Sequence, residues 1–186
     1  VIEVKKAIGM LEIRSIVRGI RAADSMAKAA DVELLTADSI CPGKFLAVIG
    51  GSVGAVDSAL AVGEAAAEGE VVDRFFLANC HEAVFPAITG SVEPPQEPSA
   101  LGLVETFSVA TAIRAADAAA KATPVQLLDL RLARGMGGKA MLILCGDVGA
   151  VQMAVDVAGK VASDEGLLAA ADVLAAPDPA LWERLL

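Results

Sequence analysis

The sequence predicts an α/β (α+β) fold built twice over, a tandem duplication of one β-α-β-β-α-β module. A stretch near the start returns after roughly 93 positions, which marks an internal repeat. Within each copy, short apolar runs of strand type alternate with longer stretches of helical periodicity. Between the copies lies Ser91-Val92-Glu93-Pro94-Pro95-Gln96-Glu97-Pro98, whose prolines lack backbone donors and resist both helix and sheet.

The repeat is direct. Ala7-Ile8-Gly9-Met10-Leu11-Glu12 returns as Ala100-Leu101-Gly102-Leu103-Val104-Glu105. Ile20-Arg21-Ala22-Ala23-Asp24 returns unchanged as Ile113-Arg114-Ala115-Ala116-Asp117, and Lys28 as Lys121. Two residues then enter the second copy, so that Lys44 pairs with Lys139 and Gly51-Ser52-Val53-Gly54-Ala55-Val56 with Gly146-Asp147-Val148-Gly149-Ala150-Val151. The expected organisation is a first module over 1–92, a Pro-rich linker over 93–99 and a second module over 100–186.

In the first copy, Ala7–Ile13 reads as a strand, and an amphipathic helix follows from Ser15, a candidate N-cap, to about Ala30. Val32–Ile40 and Lys44–Ile49 read as two strands joined by a tight Cys41-Pro42-Gly43 turn. Ser52 can cap a second helix running to about Glu68, and Val71–Ala78 is the fourth strand. His81–Ala87 is expected to be a short terminal helix, matched by Pro179–Leu186 in the second copy. This order is that of the ferredoxin-like split βαβ arrangement, which hosts many functions and by itself selects none.

Composition narrows the field. More than half the residues are apolar and only 3% are aromatic, so the core must be built from Ala, Val, Leu and Ile. Fifteen basic residues stand against 24 acidic ones, a net charge of −9, with no Lys/Arg cluster to attract phosphate. Nucleic-acid binding is therefore not expected. Apolar stretches are interrupted by Gly or charged residues before the ~20 positions needed to span a bilayer, so no membrane association is expected. Val1 to Lys6 is charged and leads into a strand, unlike a secretory signal. Cys41, Cys80 and Cys145 form an odd set without paired spacing, as suits a reducing cytosol.

Three segments carry a resemblance to a known family: "AIGMLEIRSIVRGIRAADSMAKAADVELL", "ICPGKFLAVIGGSVGAV" and, in the second copy, "GGKAMLILCGDVGAVQMAV". They resemble the bacterial microcompartment shell proteins, in particular the branch with two fused domains, over nearly the whole chain. "ICPGK", "VVDRFFLANCHEAVFPAITG" and "DPALWERLL" are similar more narrowly to the iron–sulfur-carrying shell proteins of propanediol-utilising compartments. The resemblance implies a structural protein of the microcompartment shell, within the cytoplasm, and not an enzyme. It also implies a homotrimer with a pseudohexameric outline, in which one interface repeats around a closed ring. Other shell proteins and an encapsulated redox enzyme are the partners the resemblance implies.

In that family the turn between the second and third strands lines a central pore. The residues concerned are Ile40, Cys41, Pro42 and Gly43 in the first copy and Arg134, Gly135, Met136 and Gly137 in the second, where the two inserted residues fall. The resemblance makes Cys41 the ligand of a [4Fe–4S] cluster shared by three subunits, for electron transfer across the shell. Iron–sulfur sites normally draw several cysteines from one chain. A three-fold axis could gather them from three chains, leaving one iron for water or an outside ligand. Taken without the resemblance, a single cysteine is more often a small buried hydrophobe. Cys80 and Cys145 are expected to pack, and His81, the sole histidine, lacks a second ligand at metal spacing.

Lys28 and Lys121, late in the first helix of each copy, suit a helix C-terminus wherever they sit. The resemblance places them at the edge where neighbouring hexagons meet. Family members often carry an Arg near the end of the fourth strand to partner that edge. Here Ala78-Asn79-Cys80-His81 and Ala175-Ala176-Pro177-Asp178 stand there instead. Gly50-Gly51-Ser52-Val53-Gly54 lacks the spacing and the Lys-Ser/Thr of a phosphate loop, and no nucleophile–base pair is evident. Two other readings stand beside the redox shell protein: a shell protein with a cofactor-free metabolite pore, and a trimeric ferredoxin-like ligand-binding regulator.

Overall fold

The computed structural model describes residues 6–97 and 99–185. The expectation for the N-terminal residues before Lys6, and the places of Pro98 and Leu186, lie outside the described residues. The chain divides into two compact units, Val1–Phe85 and Pro86–Leu186.

In the first unit, β1 (Ala7–Ile13), α1 (Ile16–Ala29), β2 (Val32–Ile40), β3 (Lys44–Gly51), α2 (Val53–Ala66) and β4 (Val71–Ala78) follow one another in the expected order. The strands form a four-stranded sheet ordered β2-β3-β1-β4, with every neighbouring pair antiparallel. That is the split βαβ topology. Ser15 accepts a hydrogen bond from the Arg18 amide and Ser52 one from the Ala55 amide, closing the first turns of α1 and α2. Such caps contribute about 1 kcal/mol each. α1 packs over β2 and β3, and α2 over β1. Between helices and sheet lies a core of Leu11, Ile13, Met26, Phe45, Ile49, Val56 and Leu60.

Two boundaries differ from the expectation. β3 continues through Gly51, because its last residues still pair with Ala7 and Ile8. The short helix expected over His81–Ala87 forms instead as α3 (Val84–Thr89). His81 stays outside it and shapes its entry: its Nδ1 accepts from the Ala83 amide and its carbonyl from the Val84 amide. Pro86 then falls in the first turn, where a missing amide costs nothing.

The second unit repeats the plan with β5 (Ala100–Thr106), α4 (Val109–Ala122), β6 (Gln126–Leu132), β7 (Ala140–Gly146), α5 (Val148–Asp164), β8 (Leu168–Leu174) and the closing helix α6 (Pro179–Leu185). Its sheet order, β6-β7-β5-β8, is the same and again antiparallel. Ser108 and Asp147 cap α4 and α5. Trp182 of α6 is buried with Leu101, Leu128, Ile143 and Cys145, and its indole nitrogen donates to the Pro95 carbonyl. Gln126 donates to the Glu93 carbonyl, so part of the Pro-rich segment is held against this unit.

Candidate functional site

The β2–β3 hairpin presents the first of the two expected turns. Ile40 and Lys44 form its last paired positions, and the three residues between them make the turn. Ile40 is buried and anchors the hairpin to the core; Cys41 is half-buried, while Pro42 and Gly43 are exposed. The Cys41–Pro42 peptide bond is cis. Gly43 has a positive φ of 76°, a conformation that a side chain would strain, and the space where its Cβ would lie is open. A short turn without bulk thus presents the thiol of Cys41, which is in no disulfide.

At the base of this turn Lys44 pairs with Glu12 on β1. The duplicate pair, Lys139 Nζ to Glu105 Oε1, is 2.6 Å apart at the base of the second turn. Both hairpins are therefore fastened to their central strand by one lysine–glutamate pair. Sequence reasoning matched the lysines but assigned them no partner. The matching glutamates, one per copy and at the same strand position, were the available signal.

The second turn is longer. β6 and β7 separate after the Leu132–Ala140 pair, and Ala133, Gly135, Gly137 and Gly138 all take positive φ. Arg134 and Gly137 are exposed and Met136 is half-buried. The insertion thus replaces a three-residue turn by a broader loop bearing a cation and a thioether.

Cys80 and Cys145 sit elsewhere. Cys80 is buried, with its Sγ 3.7 Å from the His81 carbonyl. Cys145 lies within β7; burial pushes its thiol above the ordinary range, with the Ser99 side chain acting weakly in the opposite direction. Among the described residues of a single chain, no group of three His, Cys, Asp or Glu side chains converges as a metal site. Among the described residues, one chain brings one half-buried thiol on the turn and no group of three potential ligands.

Lys28 and Lys121 occupy equivalent last turns. Lys28 is exposed and pairs with Asp24 at 2.7 Å, and Lys121 pairs with the largely buried Asp117 at 2.7 Å. Among the described residues no helix is long and apolar enough to cross a membrane.

The chain matches the BMC domain over residues 7–80 and again over residues 100–177, one match per unit. It belongs to the bacterial microcompartment shell protein family. The microcompartment shell protein PduT of Citrobacter freundii is 45% identical over 183 residues, covering 97% of this chain and 98% of that protein. A carboxysome shell protein of Hydrogenovibrio crunogenus, CsoS1A, is 37% identical over 86 residues, 45% of this chain and 90% of its own length. That relative is the length of one module, as expected if this shell protein arose by duplication. A crystal structure of a microcompartment protein from Desulfitobacterium hafniense superposes with a TM-score of 0.93 at 42% identity, covering 97% of this chain and 99% of that one. Tandem shell domains in one α/β chain, located in the microcompartment shell, are what the sequence predicted. The ligand-binding regulator falls away.

Proposed function

We propose that this shell protein assembles as a homotrimer whose central pore is lined by the Cys41 and Arg134 turns, and that three Cys41 thiolates hold a [4Fe–4S] cluster there. The observation that supports this reading is the disulfide-free Cys41 on a short exposed turn, with no group of three potential metal ligands among the described residues of one chain. One thiolate cannot hold a cubane, and three related by a three-fold axis can hold three of its irons. The donor chemistry fits, since thiolates are the ordinary ligands of such clusters.

The residues around Cys41 have definable tasks. Ile40 fixes the root of the turn in the core. Pro42 and Gly43 keep bulk away from the axis. The Lys44–Glu12 pair ties the turn to β1, so the sulfur position is set by the sheet rather than by a mobile loop. A cluster held there would take up and release single electrons, linking the two faces of the shell. The protein is structural and catalyses no reaction of its own.

The assembly half of the proposal is testable without iron. In cofactor-free trimers, a mild oxidant should join two chains of three through a Cys41–Cys41 disulfide, visible as a covalent dimer on a non-reducing gel and absent in Cys41→Ser. Native mass spectrometry should give the trimer mass. A chain that stays monomeric and never crosslinks through Cys41 contradicts the proposal.

A further inference from the structure

Between Thr36 and Val48 the first hairpin carries two charged residues, Asp38 and Lys44. Asp38 accepts from the Thr36 hydroxyl at 3.0 Å. Lys44 opens β3 and pairs in register with Ile40, the chain neighbour of Cys41. Paired Cα atoms of antiparallel strands lie about 5 Å apart, so Lys44 stands beside the turn in space as well as in sequence. The turn itself, Cys41-Pro42-Gly43, carries no charge, and Pro42 has no amide to donate to a sulfur.

Fastening a hairpin accounts for a lysine–glutamate pair in both modules, but not for the difference between the two pairs. The side chains of Lys44 and Glu12 are 26% and 13% exposed, against 38% and 32% for Lys139 and Glu105. The drier pair is the one beside the cysteine. Charges withdrawn from water act more strongly on their surroundings, and at 0.1 M salt they are felt over about 10 Å. Because β3 lies between β2 and β1, Lys44 is on the turn's side of the pair and Glu12 on the far side.

We infer that the Lys44–Glu12 pair sets the electrostatic potential at the Cys41 sulfur, and with it the ease with which a cluster held there accepts an electron. The second half rests on the proposed cluster; the first half does not. Reduction adds one negative charge to the thiolate-bound centre. Lys44 favours that charge, and Glu12 cancels most of the benefit. Neither residue is a ligand, and both act on the centre through the field at Cys41. Local charge is one of the levers by which a protein sets the potential of such a cluster.

Three variants of the full chain provide the test: Glu12→Gln, Lys44→Met and the two together. Cluster-free protein is labelled briefly at low salt with anionic iodoacetate and, separately, with neutral iodoacetamide. Both reagents attack the same thiolate, so the ratio of their rates at Cys41 reads the local potential and not the ionisation of the thiol. Glu12→Gln is expected to raise the ratio about twofold, the effect of one unit charge at ~10 Å in water. Lys44→Met should lower it about as much. The double variant should return near the unaltered value although it lacks the fastening pair, and Cys80 and Cys145 should stay unlabelled throughout. In iron-loaded protein, potentiometric titration with dithionite should give a higher midpoint for Glu12→Gln and a lower one for Lys44→Met. A purely mechanical role would move all three variants the same way. Shifts of one sign in the two single variants, or no shift, overturn this inference and leave the cluster standing. Trimers that take up no iron overturn the cluster, while opposite shifts of the labelling ratio still uphold the field at Cys41.

Discussion

Gly19 of α1 lies directly against Phe45 of β3: a Cβ added at Gly19 would stand 2.3 Å from the Phe45 Cβ. The second module resolves the same contact differently, with Ala112 and Ala140 at the equivalent positions, both buried. One copy pairs no side chain with a large one, and the other pairs two small ones. Forcing an extra methyl into such a contact costs about 1–3 kcal/mol, and the better helix propensity of Ala returns about 1 kcal/mol at most. Gly19→Ala is therefore expected to destabilise the protein in urea unfolding. In a Phe45→Ala background the same change should be neutral or stabilising. Equal costs in both backgrounds would show that the contact is not the cause.

The three thiols should separate by reactivity. Native protein without cluster is expected to lose one thiol rapidly to an alkylating reagent, at Cys41, while the buried Cys80 and Cys145 react only on unfolding. Peptide mapping after brief labelling checks this. Rapid labelling of Cys145 would contradict its place in β7.

Cys145 also predicts a pH dependence. Burial raises its folded-state pKa, so the fold favours the neutral thiol. The associated stability is fully present below the unfolded thiol's pKa, near 8.5, and is lost as pH rises from there toward the folded value. Unfolding free energy should fall on the alkaline side, and less steeply in Cys145→Ala. An identical alkaline slope in the two proteins would exclude this contribution.

Lys28 and Lys121 separate stability from tiling. Each closes an aspartate–lysine pair one helical turn apart, an arrangement worth about 0.2–0.5 kcal/mol. Lys28→Ala should therefore cost little stability and leave the trimer mass unchanged. If Lys28 lies at the edge between neighbouring hexagons, electron microscopy is expected to find extended sheets of the unaltered protein and none of the variant. Sheets indistinguishable from those of the unaltered chain would remove Lys28 from that edge.

The fold was readable because the chain states it twice. Ala7–Ile13, Val32–Ile40 and Val71–Ala78 form as expected to the residue, and Ser15 and Ser52 cap as expected. The shift of α3 arose from a side-chain contact of His81 with the Ala83 amide, which hydropathy does not reveal. Cys41 could be placed on its turn from the flanking strands. The Lys44–Glu12 and Lys139–Glu105 pairs needed strand register, which hydropathy alone does not give.

The central claim is that three Cys41 sulfurs share one cluster, and iron counting tests it most directly. Protein purified or reconstituted without oxygen should carry about four irons and a matching amount of acid-labile sulfide for every three chains, the content of one cubane. Cys41→Ser should form the same trimer and carry none. A trimer that takes up no iron, or a Cys41→Ser variant that retains it, contradicts the account.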